Sequence, residues 1–201
     1  MKKLVLTLLI VSIAAISCKK KTEKTKFSYS VDPKTSVVKW TAYKTTEKIP
    51  VSGTFKTIEI VNAKEANSPK EALNGIEFKI PVNSIDSKNE GRDAKLVKDF
   101  FGSMKDTDYL SGTIKLNDNG KGFVHLKMNG IGKDFPITYV ISDQIIEMNA
   151  TMDLDNWQAK SAIDALNKVC FDKHKGADGI SKTWNEVTLN IKTYLKMNEV
   201  K

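Results

Sequence analysis

Cys170 and His174 stand four residues apart, a spacing that puts two side chains on one face of a helix. A soft thiolate beside an imidazole could bind a metal ion, or the imidazole could activate the thiol. Two ligands do not complete a metal site, however, and the chain holds only two cysteines and two histidines. The plainer account is a small buried hydrophobe followed by a histidine that complements a helix C-terminus. His125 falls on the polar face of an alternating segment, and Asp106 and Asp108 fall in a turn. The sequence has no H-E-x-x-H, C-x-x-C or G-x-S-x-G motif and no glycine-rich phosphate loop. No catalytic residue, cofactor or metal is therefore expected. A redox or metal-linked role for Cys170 and His174 is kept as the alternative.

The first residues are an address rather than structure. Lys2 and Lys3 precede the 13-residue apolar run Leu4–Ile16, which is too short to span a bilayer, where about 20 residues are needed. It ends in Ala15-Ile16-Ser17-Cys18, which resembles a bacterial lipobox, with Ala15 where leucine is usual. Residues 1–17 are read as a lipoprotein signal peptide, Cys18 as the lipidated residue, and 18–26 as a flexible tether containing the lysine run Lys19-Lys20-Lys21. The expected location is the bacterial cell envelope, lipid-anchored and facing the periplasm, with firm anchoring because each buried methylene adds about 0.8 kcal/mol. Cleavage removes 17 of 201 residues and lowers the formal charge from +8 to +6 as Lys2 and Lys3 leave. The remaining 184 residues suit one domain, read as 27–196. The basic excess is scattered, and no nucleic-acid partner is expected of an exported chain. With Cys18 lipidated, Cys170 has no partner for an intramolecular disulfide.

From Phe27 onward the pattern is alternation. Ile76, Phe78, Ile80 and Val82 share one face, as do Val124, Leu126 and Met128. So do Phe135, Ile137, Tyr139 and Ile141, and likewise Ile146, Met148, Ala150, Met152 and Leu154, and Val187, Leu189 and Ile191. Period 2 over such lengths marks half-buried antiparallel strands. Further strands are predicted at Val37–Lys44, Pro50–Val61 and Leu110–Asn117, making eight, with a short extra one at Phe27–Val31. Turns at Asn117–Gly122, Gly130–Lys133 and Ser142–Gln144 make the second half a meander. Eight such strands with one apolar face suit an all-β fold, an antiparallel barrel more than a sandwich, because closure leaves no exposed edge.

Two helices interrupt the strands. In GRDAKLVKDFF (Gly91–Phe101), Leu96, Val97, Phe100 and Phe101 fall on one helical face, and Ser87 with Glu90 forms a capping pattern. A second helix is predicted from Trp157 to Lys173, with Ala162, Ala165, Leu166, Val169 and Cys170 as its apolar stripe. The inward faces are rich in methionine and aromatic residues, which suits an irregular apolar guest but equally a plain core. Periodicity cannot separate a filled barrel from a hollow one.

Four stretches resemble the YceI-like family: YSVDPKTSVVKWTA (29–42), VSGTFKTIEI (51–60), IPVNSIDSKNEGRDAKLVKDFFGS (80–103) and FVHLKMNGIGKDFPI (123–137). The resemblance covers nearly all of Phe27–Leu195, and its centre is the SID, RDAKL and DFF series within Ser84–Phe101. It implies an eight-stranded, lipocalin-like antiparallel barrel that binds an isoprenoid or other long apolar chain without catalysis. On that reading the ligand-binding residues are Trp40, Phe55, Phe78, Leu96, Phe100, Phe101, Leu126, Met128, Tyr139, Met148 and Trp157, and the first helix is a lid over the mouth. The sequence departs from the family where MKDTDYLSGTIK replaces a common Tyr-Pro step. The stretch Asp155–Thr183 is long for a minimal barrel, and its helix is a candidate plug.

Overall fold

The computed structural model describes residues 26–200. The expected signal peptide, Cys18 and the tether as far as residue 25 lie outside them. Lys26, assigned to the tether from sequence, instead opens the first strand.

Ten strands form in chain order: β1 (Lys26–Lys44), β2 (Ile49–Phe55), β3 (Glu59–Ile60), β4 (Glu77–Pro81), β5 (Ile85–Asp86), β6 (Tyr109–Leu116), β7 (Lys121–Met128), β8 (Ile131–Ser142), β9 (Ile145–Asp153) and β10 (Thr183–Val200). Among them lie α1 (Pro69–Leu73), α2 (Glu90–Lys95) and α3 (Lys160–Val169). All strand pairs are antiparallel, in the order β3-β4-β6-β7-β8-β9-β10-β1-β2-β5.

The expected count of eight differs from ten because two chain segments are each broken once. Residues 49–60 carry β2 and β3, and residues 77–86 carry β4 and β5. These two segments pair with each other at Thr54↔Asp86 and Phe55↔Ile85, then again at Glu59↔Lys79 and Ile60↔Phe78. Between Phe55 and Ile60 the first segment advances five residues, while the second runs seven from Ile85 to Phe78. The extra two are taken up by the 3-10 turn Val82–Ser84, whose Ser84 carbonyl accepts from Lys56 N. The two ends of the sheet order are thus one interrupted ladder, and the eight segments close into a ring.

β1 is longer than the alternation suggests. The strands expected separately at Phe27–Val31 and Val37–Lys44 are one, and the stretch between them is a bulge inside it. From Val31↔Leu195 to Ser36↔Thr193, β1 advances five residues while β10 advances two. Hydroxyl bonds from Thr35 and Ser36 to the Asp32 carbonyl close the bulge, and Asp32 Oδ1 accepts from Lys34 N. The β7–β8 turn is Asn129-Gly130, both at positive φ, one residue earlier in its start than the sequence implies, as a type I′ hairpin requires.

One end of the ring is packed solid. Ile76, Ile146 and Leu195 are fully buried there, and α1, unforeseen in the sequence, covers that end with Ala72 and Leu73. Ser68 caps α1 by accepting from Glu71 N, and Pro69 stands at its first position. The other end is covered by α2, its continuation and α3, which pack against one another.

Candidate apolar cavity and its lid

The lid begins with a polar clamp. Asn89, not Ser87, caps α2 by accepting from Arg92 N at 2.9 Å. Ser87 serves otherwise: its hydroxyl meets Asp93 Oδ1, and it accepts from Arg92 Nε at 2.7 Å, while its carbonyl accepts from Arg92 Nη2 at 2.8 Å. Ser87 N also donates to Asp93 Oδ1 at 2.9 Å. Arg92 and Asp93 are therefore tied through one buried serine to the end of β5.

Beyond α2 the helix widens. Leu96–Phe100 is a π-helical turn, with Phe101 N reaching the Leu96 carbonyl, and Phe101–Ser103 tightens to a 3-10 turn. In an α-helix residues five apart diverge in direction, whereas the wider turn brings Leu96 and Phe101 into line. Leu96, Phe100 and Phe101 consequently all face inward, while Val97 packs beside the core and stays outside the cavity wall. The Phe100 and Phe101 rings meet edge to face at 5.0 Å.

Behind this lid lies a cavity of about 190 Å³ with an almost wholly apolar wall. Trp40, Phe55, Phe78, Leu96, Phe100, Phe101, Leu126, Met128 and Met148 lie in that wall. Tyr139 and Trp157 do not. Tyr139 sits in the solid end, its hydroxyl donating to the Asn117 carbonyl. Trp157 is 0% exposed, packs edge to face on Phe135 and donates Nε1–H to the Leu126 carbonyl at 3.0 Å. An indole N–H needs an acceptor when buried, and a strand carbonyl supplies it outside the cavity.

Residues absent from the expected ligand contacts complete the wall, notably Val38, Ala42, Val187, Leu189 and Ile191 of β1 and β10. They point inward yet remain only half buried. In a filled barrel such positions lose nearly all their exposure, so their accessible surface faces empty space. Alternation marks them as inward, but nothing in it measures what lies opposite.

The long insertion caps the cavity rather than filling it. Leu154–Trp157 is a 3-10 turn ended by Gln158 at φ 53°, and α3 spans Lys160–Val169, so the single helix expected from Trp157 to Lys173 is three pieces. Ile163 and Leu166 of α3 touch the cavity from the lid side. Cys170 ends α3, half buried, a free thiol among the described residues. His174 follows a 3-10 turn, with Nδ1 2.7 Å from Thr183 Oγ1. The Thr183 hydroxyl donates onward to Asn167 Oδ1 at 2.8 Å, so His174 Nδ1–H is the donor in that pair. Desolvation, then the charges of Lys44 and Lys95, push its pKa down to about 4. Among the described residues no three His, Cys, Asp or Glu side chains come together as a metal site.

A model of the YceI-like domain matches residues 29–195. No curated protein matches the chain in sequence. Among solved structures, a polyisoprenoid-binding domain from Saccharophagus degradans is similar with a TM-score of 0.60 at 10% identity, covering 85% of this chain and 98% of its own. BcnA of Burkholderia cenocepacia is similar with a TM-score of 0.52 at 15% identity, covering 84% and 99%. At these identities the likeness is one of fold.

Proposed function

The chain belongs to the YceI-like family, and from that premise we propose that its barrel takes up one long apolar lipid chain of isoprenoid type and carries it without chemical change. The observation that carries this reading is the half-buried inward row Val38, Ala42, Val187, Leu189 and Ile191, facing a cavity with an apolar wall. Each methylene moved from water onto such a wall gains about 0.8 kcal/mol. Phe100 and Phe101 close the site from above, and Met128 and Met148 adapt the wall to an irregular guest. The name of the Saccharophagus degradans domain, a polyisoprenoid binder of the same fold, supports the choice of ligand class. Cys18 is the proposed lipid anchor, tethering the barrel to a membrane of the bacterial envelope, where apolar chains of this kind reside.

Native mass spectrometry of the protein from Phe27 to its C-terminus, followed by organic extraction, tests the reading. A co-purifying apolar chain of defined mass, or uptake of added polyprenol at one per protein, is the expected result. A protein that is empty and rejects polyprenol would overturn it.

A further inference from the structure

A second cavity of about 140 Å³ adjoins the first, sharing Trp40, Ala42, Leu96, Leu166 and Thr183 as wall residues. Its remaining wall is of another kind. Lys44 comes from the end of β1, Arg92 and Lys95 from α2, and Lys173 and His174 from the turn after α3. Among the described residues no aspartate or glutamate lines it. Among the described residues, none of these four cations forms an ion pair.

The cations are held in place by neutral groups. Lys44 Nζ donates to the Lys173 carbonyl at 3.0 Å, and Lys95 Nζ to the Val169 carbonyl at 3.2 Å. Each ammonium keeps two further protons to donate. Arg92 uses Nε and Nη2 on Ser87, which leaves Nη1 unengaged and fixes the plane of the guanidinium. Four like charges around one small chamber repel one another. A carboxylate from the chain would relieve that repulsion, yet the wall supplies none. The His174 imidazole responds to the same field, since Lys44 and Lys95 help keep it neutral.

We propose that this chamber receives the anionic head of the lipid whose chain occupies the barrel, a phosphate or diphosphate group carried on Lys44, Arg92, Lys95 and Lys173. This rests on the apolar-chain reading above, because the chamber adjoins the apolar cavity, with Trp40 and Leu96 in the wall of both. Head and tail then lie in adjoining spaces of matching chemistry: oxyanion among cations, hydrocarbon among Leu, Val, Met and Phe. A phosphate oxyanion accepts charge-assisted bonds from ammonium and guanidinium groups together, with arginine adding directional specificity.

The test compares a polyprenol, the matching polyprenyl monophosphate and inorganic phosphate on the wild-type protein and on Lys44→Gln/Lys95→Gln. In wild type the monophosphate should bind at least about tenfold more tightly than the alcohol, with the advantage shrinking as salt rises from 50 to 500 mM, both salt values being round figures, roughly set by the screening length. In the double variant the ratio should fall toward one. NMR titration of His174 in the wild-type protein should show its pKa rising as the monophosphate binds, because an oxyanion offsets Lys44 and Lys95. Inorganic phosphate should act only at far higher concentration; if it matches the monophosphate, the site is for a free anion and the head-group assignment fails. Equal binding of alcohol and monophosphate overturns the inference while leaving the apolar-chain reading intact. Rejection of both chains overturns both. The salt and NMR arms need only wild-type protein, so misfolding of the double variant would leave the test decisive.

Discussion

Trp40 stands directly across the β1–β2 ladder from Gly53, and its indole occupies the space that a Cβ on Gly53 would need. The same Cβ would lie 2.8 Å from the Asp86 carbonyl on β5. This close approach lets a tryptophan lie in the cavity wall while its Nε1 donates to the Thr54 carbonyl at 3.4 Å. Gly53→Ala should therefore displace the indole and strain the short β2–β5 ladder, where the barrel closes. Overpacking of this kind costs about 1–3 kcal/mol. The loss should appear as an earlier midpoint in urea unfolding. A variant as stable as wild type would mean the indole moves aside at no cost.

Ser87 holds the root of the lid. Ser87→Ala leaves Arg92 Nε and one oxygen of Asp93 without their hydroxyl partner in a poorly hydrated place. Losing such a partner costs about 1–3 kcal/mol. Local opening should be affected more than global stability. Amides of residues 92–101 should exchange with deuterium sooner in the variant, while those of β7 and β8 stay as protected as in wild type. Uniform change across the barrel would refute a lid held by this clamp.

Alternation carried much of the wall: Val124, Leu126, Met128, Phe135, Met148 and Met152 are inward and buried as their period requires. Breaks in the strands were harder. Asp32-Pro33 looks like an end to β1 because turn chemistry is local, while the ladder with β10 that spans it is made by residues more than 150 positions away. The same limit hid the second cavity. Lys44, Arg92, Lys95, Lys173 and His174 come from three separate segments; each lysine and the arginine in isolation reads as ordinary solvated charge, and His174 pairs in sequence only with Cys170. Tyr139 and Trp157 failed as wall residues for a different reason. Both are large and inward, and large inward aromatics also serve to fill solid regions around a cavity. For Tyr139 what separates the two roles is height along the strand, which period 2 does not encode; for Trp157 it is a place in the 3-10 turn after β9 rather than on a strand.

Trp157 and Leu189 make opposite predictions because one is packed solid between the insertion and the sheet and the other borders empty space. Trp157→Phe removes the donor to the Leu126 carbonyl and leaves part of the indole volume vacant. The combined loss should be about 2–4 kcal/mol, read by thermal or denaturant unfolding, with uptake of polyprenol by the folded protein retained. A folded Trp157→Phe protein unable to take up polyprenol would put Trp157 back among the ligand contacts.

Leu189→Trp should do the reverse. Leu189 is half buried against the cavity, so a larger ring there has room to occupy. The variant should lose no more than about 1 kcal/mol of stability, less than the usual cost of overpacking a filled core. It should also take up polyprenol at least about tenfold more weakly than wild type, because the ring occupies the ligand's volume. Severe destabilisation would indicate a wall already packed. Undiminished uptake would indicate that the chain runs elsewhere.

His174 gives the protein a specific pH dependence. Its imidazole is held neutral in the fold, with a pKa pushed down to about 4 from 6.5 by burial and then by Lys44 and Lys95. Between those values the unfolded chain binds a proton that the folded chain refuses, so stability rises with pH. The contribution is complete above about pH 6.5, is lost as pH falls toward 4, and changes no further below. Solvent at the half-exposed ring screens the effect to about 1–2 kcal/mol. Asp86 and Asp118, held below 3.8 chiefly by hydrogen bonds from the ammonium groups of Lys88 and Lys70, add a loss of stability at the acid end that variant and wild type share. His174→Gln keeps an N–H donor for Thr183 and removes the titration. Unfolding midpoints measured from pH 7 to pH 4 should fall less steeply in this variant than in wild type. Parallel slopes would assign the pH dependence to other groups and show that the imidazole is well hydrated in the fold.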